Sequence, residues 1–163
     1  MPVMRATLGV AMGVHYPKRK WGTSPFKRSF GDLVRGWVAA TLLSGLPSTV
    51  WIVVTGGDVL EPTRAAGAML LPHESATGKL VLAAAIVHSM VSAFWAVILW
   101  RLVPRRATLA WALLAAVLIA LLDLKLIAPV FFPRVAALEF WPQLADHLMW
   151  GASFAIALDW RRR

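Results

Sequence analysis

A chain of 163 residues has room for one domain, and 59% hydrophobic content exceeds the ~45–50% usual for soluble domains. The absence of cysteine excludes a disulfide framework, a zinc–thiolate site and thiol chemistry. A formal net charge of +9, from 17 Lys+Arg against 8 Asp+Glu, could suit nucleic acid, but the basic residues sit at the ends of apolar runs, as a membrane protein requires.

Residues 1–33 read as a basic cytoplasmic tail. The apolar stretch from Ala6 to Val14 is too short to span, since a spanning helix needs ~20 residues, and no convincing cleavage site follows it, so no signal peptide is expected. Lys18, Arg19, Lys20, Lys27 and Arg28, interleaved with Trp21 and Phe26, suit anionic lipid headgroups rather than nucleic acid.

Four apolar runs follow, over about 34–55, 79–101, 107–131 and 142–160, and residues 161–163 close the chain as a second basic tail. Each run can cross ~30 Å of hydrocarbon as a helix at 1.5 Å per residue. Lipid leaves no partner for a free backbone group, and runs this continuous do not alternate like barrel strands. The predicted fold is therefore all-α, an integral membrane four-helix bundle. Pro47 lies mid-run in the first span and predicts a kink beside Ser48 and Thr49. In the loop 56–78, Glu61-Pro62-Thr63 reads as a helix start and Pro72 as a stop, giving a short interfacial segment that could serve as a lid.

Orientation follows from Lys and Arg. Thirteen lie in the N-tail with Arg35 just beyond it, the 101–106 turn and the C-tail, against three (Arg64, Lys79 and Arg134) in the other loops; Lys125 stands near a helix end and would snorkel outward. Both termini are thus expected inside. Trp37, Trp100, Trp111 and Trp160 fall one per span at the inner boundary, as an aromatic belt would. Ala-, Arg- and Trp-rich usage points to a bacterial cytoplasmic (inner) membrane.

The second and fourth spans align on their histidines. His88-Ser-Met-Val-Ser-Ala-Phe-Trp-Ala-Val-Ile-Leu matches His147-Leu-Met-Trp-Gly-Ala-Ser-Phe-Ala-Ile-Ala-Leu at His, Met, two Ala and the final Leu. A duplicated transmembrane hairpin is expected, its copies related by an axis along the membrane normal. Counted from the inner boundary, His88, His147, Thr49 and Asp123 all fall ~20–25 Å deep at 1.5 Å per residue. They form a ring in the outer half of the bilayer. Ser92 and Ala96 continue the stripe below His88; Gly151 and Ala155 continue the one below His147. Such small-residue faces let helices approach closely and turn the histidines away from lipid.

Ionisable groups within a bundle are expensive in lipid and are functional candidates by default. His88, His147, Asp123, Ser48 and Thr49 make up the expected buried polar site, with Asp58, Glu61 and Asp146 toward its outer entrance. Asp146 also suits the dipole of its own helix start. Three readings stay open. The first is a scaffold or accessory subunit in which the polar cluster only satisfies itself and the small-residue faces bind a membrane partner or a second copy. The second is proton, ion or small-solute transport through the His/Asp site, in a homo-oligomer. The third is a haem held by His88 and His147, or a divalent metal held with Asp123. No Ser-His-Asp order, HExxH or phosphate-binding glycine loop singles out catalytic residues.

Overall fold

A computed structural model describes residues 28–160, and these are helical, without a strand. The basic segment up to Lys27 and the tail Arg161–Arg163 lie outside the described residues. Three helical stretches are long and apolar enough to cross a membrane: Phe30–Thr55, Thr77–Leu102 and Thr108–Phe131. Less than a third of each is buried within the protein, so broad apolar surface faces outward, as lipid contact demands.

The first stretch begins at Phe30, four residues before the apolar run. Ser29 accepts from the Asp32 amide and Asp32 accepts from the Ser29 amide, a reciprocal capping box that also pairs Asp32 with Arg35. The stretch is two helices, α1 (Phe30–Leu43) and α2 (Leu46–Thr55). Pro47 cannot donate to Leu43 and its ring crowds that carbonyl, so α1 stops at Leu43 and α2 restarts with proline in its first turn. The expected kink is thus a full break at Ser44-Gly45. Gly56, with φ +74°, terminates α2 in the left-handed region.

The loop beyond carries α3 (Glu61–Gly67), starting at the Glu-Pro pair as expected but ending at Gly67. There α3 lies so close to α4 (Thr77–Leu102) that a Cβ on Gly67 would fall 2.1 Å from the Leu80 carbonyl oxygen. Glu74, outside the helix, accepts from the Ser75 and Ala76 amides and pairs with Lys79, fixing the start of α4. At the other end of α4, Arg28 donates to the Trp100 and Val103 carbonyls and to Thr108 Oγ1, tying the turn into α5 (Thr108–Leu121).

After α5 the helix widens into a π segment, Leu122–Ile127, and continues as α6 (Ala128–Phe131). The Ala128 amide reaches back to the Asp123 carbonyl. Pro129 supplies the reason: a regular turn would press its ring against the Lys125 carbonyl, and the wider turn relieves this. A single turn, α7 (Pro133–Ala136), leads to α8 (Phe140–Asp159).

Helix α8 is central, packing against α1, α2 and α5. Its Phe154 is fully buried, stacks on Trp150 at 5.5 Å and fills the space over Gly36. Gly151 meets α5, where an added Cβ would lie 2.8 Å from the Ala112 carbonyl. Helix α4 packs on α1 and α3 instead. Trp37, expected at the membrane boundary, is half-buried and donates from Nε1 to the Ser89 carbonyl at 3.2 Å, bridging α1 and α4.

Candidate functional site

The helix break, the π segment and the start of α8 open onto one cavity of about 430 Å³, away from the α4–α5 turn. That size is within the ~300–1,000 Å³ typical of small-molecule sites. Ser44, Ser48 and Thr49 enter it from the break, His88 and Ser92 from α4, Asp123 from the π segment, and Asp146 and His147 from α8. The five residues of the expected polar site thus share one space, joined by Asp146. Asp58 and Glu61 do not line it: both pair with Arg64 on the surface beside α3, holding the Asp58 carboxyl below its usual range. Their neighbours Val59, Pro62 and Thr63 form the cavity wall there.

Asp146 does not serve its own helix start. Its Oδ1 accepts from the Ser48 backbone amide at 2.9 Å. Ser48 lies in the first turn of α2, where amides have no helical acceptor, and its side chain is buried. A carboxylate from α8 therefore caps the half-helix α2, and the break created by Pro47 is closed by a residue almost a hundred positions away. Ser48 and Thr49 turn their own hydroxyls back to the Gly45 carbonyl.

The histidines are bonded differently. His88 donates from Nε2 to the Thr41 carbonyl at 3.1 Å, with Ser44 Oγ also at 3.1 Å. His147 donates from Nδ1 to the Gln143 carbonyl at 2.8 Å. A carbonyl only accepts, so this bond sets the tautomer, and Nε2 of the neutral His147 ring is an acceptor. Asp123 Oδ2 lies 3.7 Å from that nitrogen. Two acceptors face each other across a gap that a shared proton would bridge, alone or with a ligand hydroxyl that accepts from one side and donates to the other. Both side chains are about a quarter exposed to the cavity.

Ser92, expected only as a small packing residue, is a buried junction: its hydroxyl lies 2.7 Å from Thr41 Oγ1 and accepts from Trp150 Nε1 at 2.7 Å, linking α1, α4 and α8. Ala96 and Ala155 are buried one turn further along their helices, as the small-residue stripes predicted. Thr41, Gln143 and Trp150 escaped the sequence reading. The clue for Thr41 was its place one turn before Ser44 and two before Ser48; nothing in sequence marks Gln143 or Trp150. Lys125 stands 4.3 Å over the Phe140 ring, a cation–π contact rather than a part of the site.

Among the described residues no group of three or more His, Cys, Asp or Glu is placed to hold a metal ion. His88 Nε2 is engaged by Thr41 and Ser44, and His147 Nε2 lies beside Asp123. Over the described residues the fold and site define a class: an all-helical chain with three helical stretches long and apolar enough to cross a membrane, and a polar cavity at a broken helix. Comparison with protein-family models, curated proteins and solved structures finds no match to this chain.

Proposed function

We propose that the chain is a solute- or proton-handling protein of the bacterial inner membrane, with four spans and both termini cytoplasmic. The thirteen-to-three distribution of basic residues supports the orientation. Helix α8 supplies the fourth span: its 20 residues reach ~30 Å, and Gln143, Asp146 and His147, which dilute its apolar run, all line the cavity rather than lipid. The duplicated hairpin is supported by the shared burial of its aligned positions, Ser92 with Gly151 and Ala96 with Ala155. Four helices are few for a carrier, so the working unit is a homo-oligomer in the membrane, with the basic N-tail on anionic headgroups.

One observation carries the reading. The ionisable residues converge on an open cavity, with His147 and Asp123 meeting only at 3.7 Å, and a half-helix start is part of its wall. Discontinuous helices with such ends recur at the substrate sites of membrane carriers. A purely structural polar cluster would be packed shut, because an unfilled polar gap forfeits hydrogen bonds. The assembly role suggested by the small-residue faces has less room, since Gly36, Ala112, Ala116 and Gly151 are occupied by contacts within the chain.

Proteoliposomes carrying a pH-sensitive dye test this. The parent protein should speed dissipation of an imposed pH gradient over empty vesicles, and the double variant His88→Ala/His147→Ala should abolish the increment while remaining folded by circular dichroism. A parent no faster than empty vesicles would overturn the proposal.

A further inference from the structure

Two residues that line the polar cavity are shared with another space. Trp95 and Ile119 also form the upper end of a second space, an apolar groove of about 520 Å³ running between α4 and α5 toward their connecting turn. On α4 the lining passes from His88 and Ser92 through Trp95 to Ile98, Leu99 and Leu102, at helical spacing. On α5 it passes from Asp123 through Ile119 to Ala115, Leu118 and Leu114. The groove exists because α4 and α5, adjacent in sequence, do not pack together: α4 is held by α1 and α3, and α5 by α8. Polar lining above and apolar lining below therefore adjoin at Trp95 and Ile119.

We infer that the two adjoining spaces form one crevice whose ligand is a neutral amphiphile with a hydroxyl-bearing head and a single alkyl or prenyl chain. This rests on the cavity being a ligand site, and names what fills it. The head is read from charge and hydrogen bonding. Among the described residues, Asp123 and Asp146 line the cavity and no Lys or Arg does, so an anionic head is repelled. When the His147 Nε2–Asp123 Oδ2 pair, 3.7 Å apart, holds one proton, a hydroxyl beside it accepts from the protonated partner and donates to the other. The chain is read from the groove. Trp95 to Val103 spans about 12 Å at 1.5 Å per residue, which an extended decyl chain matches. Entry is sideways between α4 and α5.

Binding of tritiated probes to the purified full-length protein, followed by scintillation proximity, tests the inference. The probes are 4-decylphenol, phenol and decanoate. 4-Decylphenol should bind at least about tenfold more tightly than phenol, from burial of its chain, and at least about tenfold more tightly than decanoate. Leu118→Trp and Ala115→Trp, which fill the groove from its more and less exposed walls, should each remove the advantage of the chain and leave phenol binding unchanged. Asp123→Ala should weaken phenol and 4-decylphenol alike. If phenol binds and the chain adds nothing, or both groove variants leave its advantage intact, the amphiphile inference falls while the cavity reading stands. If neither phenol nor 4-decylphenol binds saturably, both fall. Binding of 4-decylphenol that depends on the groove, in a protein that dissipates no pH gradient, supports the amphiphile site and overturns only the transport reading.

Discussion

Helices α4 and α8 carry the same run of residues from their histidines, yet the protein uses them in different ways. Helix α4 is 26 residues long and sits at one side, between α1 and α3; α8 is 20 residues long and central. The aligned small positions keep the same task, since Ser92 and Gly151 are buried, as are Ala96 and Ala155. The polar positions do not. His88 reaches across to the end of α1, whereas His147 bonds within its own helix and faces a carboxylate on the π segment. Trp95 stands half-buried where cavity and groove meet, while its counterpart Phe154 is sealed in the core. Burial pattern follows from side-chain size along a helix face. Hydrogen-bonding role follows from the neighbour, which the run itself does not encode.

Substitutions on the two helices can break or sharpen this contrast. The largest effect is expected at Gly151. Its α-carbon is so near α5 that any side chain must push the Ala112 backbone away, so Gly151→Leu should cost ~3 kcal/mol or more and lower the thermal midpoint or abolish purification of folded protein. The aligned Ser92→Ala should be milder, ~1–3 kcal/mol, because it leaves the Trp150 indole N–H without its acceptor but adds no bulk. Equal losses at the two sites would mean that α4 and α8 are packed alike, against the contrast.

Asp146→Ala comes next. It strips the acceptor from the buried Ser48 amide and should cost ~1–2 kcal/mol, whereas Asp146→Asn keeps an acceptor oxygen and should recover much of that. Thermal unfolding of both variants in one detergent would show whether α8 caps α2; identical losses for Ala and Asn would exclude it.

The smallest effect belongs to Glu74, the exposed counterpart at the start of α4. Its bond from Lys79, with the Ala76 and Ser75 amides, draws the carboxyl from an ordinary 4.5 down to about 2. A depressed folded value means that the stabilisation is fully present above 4.5 and is lost as pH falls toward and through about 2. Glu74→Gln should therefore flatten that part of the pH–stability curve and lower the neutral midpoint slightly, since solvent screening leaves a surface pair little of its nominal worth.

The sequence by itself determined that the chain is helical and suited to membranes, because long apolar runs admit little else in lipid. It placed Pro47 at a disturbance, started α3 at Glu61-Pro62 and grouped His88, His147, Asp123, Ser48 and Thr49 into one expected site, all five of which line the cavity, since rise per residue is a local property. It did not determine how far the disturbance would go. The break at Ser44-Gly45 is capped by Asp146, and the turn around Asp123 is widened ahead of Pro129, so a proline's consequence depends on what lies opposite or beyond it. Tertiary structure alone decided that α8 would be central, that α4 and α5 would part, and that the polar ring would therefore enclose a space rather than a closed cluster. Depth along a helix can be counted from a sequence; which helices meet is settled by packing between residues far apart in the chain.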